Sequence, residues 1–137
     1  MSSSPVLTGV VPIVPTPFCA NEEIDYEGLT RCVHFARDRG LMAVCLPAYA
    51  SEFYKLSEAE REQVIGIAID ANRQRIPVIA QANHGSSKVA AGLARRYEAI
   101  GADVISFAIP RQFGTTDADL LRYCGAIAEA VQHREVE

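Results

Sequence analysis

The stretch LMAVCLPAYASEFYKLSEAER, residues 41–61, holds a strand, a turn and a helix start in a single reading. The apolar run 42–46 stops at Pro47, small residues and Tyr49 come next, and then a lone carboxylate, Glu52. Ser57, with Glu60 three residues on, is a capping box, in which serine oxygen and carboxylate each accept a backbone N–H of the helix start. The run before Pro47 is apolar at successive positions, not at alternate ones. Continuous apolar runs belong to strands buried on both faces, and so to parallel sheets.

Working outward, the same order of signals recurs. GVVPIVPTPF (9–18) is β-branched and broken by prolines, readable as a strand with a turn at its end. DYEGLTRCVHFARDRG (25–40) has Leu29, Cys32, Val33, Phe35 and Ala36 at helical spacing, Asp25 to cap its start and Gly40 to end it. After the 41–48 strand comes a helix over 57–74, then a strand, IPVIAQA (76–82), and a helix over 86–101 ended by Gly101. A fourth strand spans 102–110, and a fourth helix spans 116–132, with Thr116 and Asp119 in capping-box spacing. Four strand–helix repeats without linker or low-complexity sequence predict one α/β domain over 1–137, built of parallel (β/α) repeats.

Composition narrows the function. With 49% hydrophobic residues and 22% charged, the 137-residue chain is ordinary for one soluble domain. A net charge of −4 and scattered arginines, with no basic stripe among aromatics, predict no nucleic acid and no anionic membrane as partner. No apolar run approaches the ~20 residues of a membrane span. The start MSSSPVLTGV has no charged n-region, and its apolar stretch is broken by Pro12, Pro15 and Pro17, so no signal peptide is read there. Cys19, Cys32, Cys45 and Cys124 form no CxxC pair, and His34, His84 and His133 have no metal-ligand spacing. Reduced thiols and a cytoplasmic location are the expectation.

In parallel α/β proteins ligands bind at the carboxyl ends of the strands, here the loops 15–24, 47–56, 82–86 and 110–115. HGSSK lacks the P-loop spacing and GxGxxG is absent, which leaves a nucleotide reading without support. His84 lies on the third of these loops, and Tyr97 and Tyr123 read as packing residues on helix faces. Lys55 and Lys88, the only lysines, stand by a helix cap and in a first helical turn. Both should be solvated, whereas an imine-forming lysine needs a dry pocket that depresses its pKa.

Gly9, Pro12, Thr16, Pro17 and Phe18 give G-x-x-P-x-x-x-T-P-F in the first run, and Ile24, Asp25 and Leu29 give I-D-x-x-x-L ahead of Gly40. AYASEFYKLSEAER (48–61), PVIA, Ser86, Ser87 and the run to Asp103 follow. On these residues, from about Thr8 to Val131 and without a gap, the chain resembles the N-terminal half of the dihydrodipicolinate synthase/N-acetylneuraminate lyase family, the pyruvate-dependent class I aldolases, whose signature G-T/S-T-G-E-x-x-x-L-S-x-x-E-R is met at 48–61. The resemblance implies the first four units of a TIM (β/α)₈ barrel, which needs about 250 residues in all. It implies a carbon–carbon lyase or synthase that binds pyruvate or a related 2-keto acid as an imine on lysine, in a homo-oligomer, with no metal or organic cofactor.

The match is imperfect where it matters most. The family's loop offers two hydroxyls and backbone N–H groups to the keto-acid carboxylate, whereas here it reads Ala48, Tyr49, Ala50, Ser51, Glu52. The resemblance makes Tyr49, Ala50 and Ser51 substrate-binding residues, with Arg111 standing where the family's fourth loop carries a tyrosine. Thr16 and Glu52 become structural at the site, Glu52 as a turn-holder that accepts backbone hydrogen bonds rather than as a base. The family's lysine and second tyrosine come from later strands, so no catalytic residue is assigned in this chain. Residues 131–137 read as a link to a next strand, so the expectation is a piece of a longer enzyme, inactive alone, with a natural half-barrel as the alternative. A divergent substrate is expected. The competing reading is a non-catalytic α/β binding or assembly module.

Overall fold

The computed structural model describes residues 7–73, 76–110 and 114–131. Helices and strands alternate: α1 Tyr26–Asp38, β1 Val44–Leu46, α2 Glu58–Asn72, β2 Val78–Gln81, α3 Ser87–Ala99, β3 Val104–Ser106 and α4 Asp117–Ala128. The strands are parallel in the order β1-β2-β3, with Val44 beside Val78 and Ile79 beside Val104. The α/β class and the parallel sheet are as the apolar runs require. The helix ends predicted at 74 and 132 lie outside the described residues.

The strand expected over 9–18 is not formed. Its chain does run beside β1: Met42 N–H donates to the Val10 carbonyl, Cys45 N–H to Pro12 and Val14 N–H to Cys45, each at 3.0–3.1 Å. Only the bridge between Ile13 and Cys45 counts as ladder, because prolines 12, 15 and 17 have no N–H to give. The described sheet therefore has three strands with four helices, not the four strand–helix units expected.

Alternation along the strands sorts side chains to two faces. Val44, Leu46 and Val78 join Leu29, Val33 and Val64 in a core beneath α1 and α2. Ala80 and Ile105 join Leu93, Tyr97 and Ile127 beneath α3 and α4. The opposite face carries Ala43, Cys45 and Ile79 with Val11 and Val104, and they pack on one another. Among the described residues every helix that packs on the sheet does so through the first face.

The helix starts form as the sequence dictates. Both capping boxes are complete, Ser57 with Glu60 and Thr116 with Asp119, and Asp25 accepts Gly28 N–H at 2.8 Å. Gly40 and Gly101 leave α1 and α3 at φ 71° and 103°, where a Cβ is strained. Helix α2 leaves through a left-handed Arg73 instead, φ 51°, which no glycine announces. No described helix is long and apolar enough to cross a membrane.

Candidate substrate-binding site

The loop after β1 is held from below by two buried hydroxyls. Ser51 Oγ, fully buried, donates to the Val14 carbonyl at 2.5 Å, and Thr16 Oγ1 donates to the Ser51 carbonyl at 2.8 Å. Both bonds tie the loop to the proline-rich segment, adding to the three main-chain hydrogen bonds that hold that segment beside β1. Ser51, Glu52 and Phe53 N–H turn back onto Ala48 and Tyr49 carbonyls. The N–H groups of Tyr49 and Ala50 donate to no described residue, and both residues are exposed at the strand's carboxyl end. A rigid turn with two free donors is an anion-binding arrangement.

Glu52 holds the turn in a different way from the one expected. Its backbone is left-handed, φ 59°, and opens a short 3-10 helix, Phe53–Lys55, that the sequence did not announce. Its carboxylate caps no N–H and instead accepts from Lys55 Nζ at 2.9 Å. Donors at this helix start are met by main-chain carbonyls instead, Glu52 N–H by Tyr49 and Phe53 N–H by Ala48. The Glu52–Lys55 pair raises the Lys55 pKa, first through the hydrogen bond to Glu52, and so moves it away from a nucleophilic amine. Lys88 is exposed in the first turn of α3.

Beside the loop lies a cleft of about 540 Å³, lined by Tyr49, Phe53, Tyr54, Arg61, Asn83 and His84 among others. Tyr49 meets Phe53 edge-on at 4.9 Å between ring centroids, and the Arg61 guanidinium lies 4.6 Å from the same ring. Arg61 is 7% exposed, donates to the Asn83 carbonyl at 2.9 Å and leaves Nε buried without a partner. It makes no ion pair with a described residue, so the inner wall of the cleft is electropositive. His84 Nδ1 accepts Ser86 N–H at 2.9 Å, which puts the proton of the neutral ring on Nε2. Its carbonyl accepts the Tyr123 hydroxyl at 2.7 Å.

The structure thus brings Thr16, Tyr49, Ala50, Ser51 and Glu52 together at one strand end, while Arg111 lies outside the described residues. Sequence reasoning passed over Arg61 and Asn83. Arg61 closes the quoted 48–61 stretch, and its helical spacing with the buried Val64, Ile65 and Ala68 was the available signal. Asn83 sits at the end of a strand, where its side chain joins two loops: Nδ2 donates to Gln81 Oε1 at 2.8 Å and Oδ1 accepts Ala108 N–H at 2.6 Å.

Comparison with known proteins places this geometry. L-2-keto-3-deoxyarabonate dehydratase of Azospirillum brasilense is 29% identical over 134 residues, 95% of this chain and 43% of that protein. A 4-hydroxy-tetrahydrodipicolinate synthase of Methanopyrus kandleri is 33% identical over 127 residues, 92% of this chain and 42% of that one. Among solved structures, a prophage protein of the dihydrodipicolinic acid synthase family from E. coli K12, in complex with pyruvate, superposes with a TM-score of 0.88. It is 26% identical, and the match covers 93% of this chain and 43% of that one. The chain therefore spans less than half the length of the relatives it matches, corresponding to their N-terminal half. The model of the dihydrodipicolinate synthetase family matches residues 6–135, and to that family the chain belongs.

Proposed function

We propose that the complete protein is a Schiff-base lyase or synthase acting on pyruvate or a related 2-keto acid, and that the loop 48–51 binds the substrate carboxylate. One observation carries the reading: a turn pinned by Ser51 and Thr16 presents the unpaired N–H groups of Tyr49 and Ala50 at a strand's carboxyl end. Ser51 shapes the loop and does not itself meet the substrate, since its hydroxyl is committed to Val14, its N–H to Ala48 and its carbonyl to Thr16. Tyr49 adds a hydroxyl at the rim. The pyruvate held by the E. coli family member supports the substrate class.

The chemistry needs an amine this half does not supply. A lysine from the remainder of the barrel attacks the keto carbon and water leaves; the resulting iminium accepts the electron pair when the bond between the α- and β-carbons breaks, giving an enamine and an aldehyde as the β-hydroxyl loses its proton. A homo-oligomer in the cytoplasm is the setting we infer. Borohydride added to the complete protein with pyruvate should fix one adduct on a lysine beyond residue 137. Tyr49→Phe should weaken pyruvate binding by about 1.5–3 kcal/mol, the range of a charge-assisted bond. Glu52→Gln should leave the pH optimum in place. No adduct with any 2-keto acid would favour a binding module instead.

A further inference from the structure

The loops after β1 and β2 are joined by a side chain that neither of them carries. Arg61 stands at the end of the first turn of α2, with its N–H on the Ser57 carbonyl at 3.0 Å. Its guanidinium donates to the Asn83 carbonyl, in the loop after β2, and lies 4.6 Å from the centre of the Phe53 ring, in the loop after β1. Asn83 in turn holds the loop after β3, where Ala108 N–H donates to its side-chain oxygen. Phe53 belongs to the carboxylate turn itself. Its N–H donates to the Ala48 carbonyl at 3.2 Å, and its ring meets Tyr49 edge-on.

A guanidinium is a costly way to fill this space. Burying a charge opposes folding unless the charge is paired, and an apolar side chain of similar volume would pack at lower cost. The carboxylates nearest Arg61 along the chain are engaged elsewhere, Glu60 with Ser57, and Glu58 and Glu62 with Arg96 of α3. What arginine supplies and methionine does not is direction, a planar group with N–H bonds in its plane and an aromatic contact on its face. The turn is thus fastened at two points. Ser51 ties it to the proline-rich segment, and Phe53, through Arg61, ties it to the loop after β2. The free N–H groups of Tyr49 and Ala50 lie between those points along the chain and the strand they follow.

We propose that Arg61 is a positioning residue for substrate binding: it clamps the Phe53 ring to the loop after β2, and the clamp fixes the aim of the Tyr49 and Ala50 N–H groups. The effect on substrate rests on the carboxylate reading above, while the clamp stands on the contacts of Arg61 alone.

Two measurements on the complete protein test it, hydrogen exchange and borohydride trapping with pyruvate. In Arg61→Met the amides of Ser51, Glu52 and Phe53, which turn back onto Ala48 and Tyr49, should exchange about ten-fold faster, while those of β2 keep their wild-type rates. The pyruvate concentration that half-saturates trapping should rise about ten-fold, the order of a desolvated cation–π contact, with the limiting rate unchanged. Arg61→Lys retains a cation over the ring and should recover most of both. Phe53→Leu breaks the same contact without touching the buried charge and should reproduce both effects. The double variant should be no worse than the worse single one, since one contact is lost in each case. Faster exchange throughout the domain would make Arg61 a packing residue and overturn the clamp. Unchanged loop exchange, additive losses, or an effect on the limiting rate alone would overturn it too. A wild type that neither forms an adduct nor binds pyruvate counts against the carboxylate reading, and the exchange rates then decide the clamp.

Discussion

Tyr97 shows what burial does to one hydroxyl. The ring is fully buried, its oxygen has no partner, and burial pushes its pKa up to about 12. An ordinary tyrosine titrates near 10. Because the folded value is the higher one, stability from the neutral ring is intact below about pH 10 and is lost as pH rises towards 12, by roughly 2–3 kcal/mol. Tyr97→Phe deletes a buried hydroxyl that bonds to nothing, so it should stabilise the fold by about 1 kcal/mol at pH 7 and blunt the alkaline loss. Melts at pH 7 and pH 11 check both parts; a phenylalanine variant less stable at pH 7 would mean the hydroxyl has a partner after all. At this scale the sequence was only partly readable. That Tyr97 packs is clear from its place on a helix face, but the partners of Ser51 and Arg61 lie 37 and 22 positions away, and no local pattern encodes such pairings.

Elements with local causes were legible, and those with tertiary causes were not. The caps are local: Ser57 holds the Glu60 carboxyl below its usual range through backbone and side-chain hydrogen bonds, and Thr116 does the same for Asp119. Depressed carboxyls contribute above their unfolded pKa and lose that contribution as pH falls through the folded one. Ser57→Ala and Thr116→Ala should each cost about 1 kcal/mol, and the cost should shrink in acid as the carboxyls protonate. Urea unfolding at pH 7 and pH 3 measures it, and an equal loss at both would assign the effect to the hydroxyl alone. The segment 9–18 was misread because its β-branched residues argue for a strand while its prolines remove the donors a ladder needs. It is kept beside β1 by three main-chain hydrogen bonds together with the hydroxyl bonds of Ser51 and Thr16, and spacing along the chain does not reveal the latter pair. The candidate loop was legible as a position, a βα connection at the sheet's carboxyl edge, because topology puts that loop there.

On the scale of the whole molecule, the three-stranded sheet is covered by helices on one face only, and that geometry has a physical consequence for the 137-residue polypeptide by itself. The outer edge of β3 pairs with no described strand, and the segment beside β1 leaves Val10 67% and Ile13 46% exposed. Phe35 on α1 is 62% exposed, over a groove of about 480 Å³ lined by Pro12, Val14, Pro17, Cys32 and Leu41. Unpaired strand edges and contiguous apolar surface both drive association. The polypeptide alone should therefore sediment as a dimer or larger species at micromolar concentration. It should also form no imine, since Lys55 is ion-paired with Glu52 and Lys88 is solvated. Light scattering and borohydride trapping with pyruvate test the two halves in one sample. A stable monomer would show that the exposed edge and groove do not govern its behaviour, and an adduct on either lysine would move the chemistry into this half of the barrel.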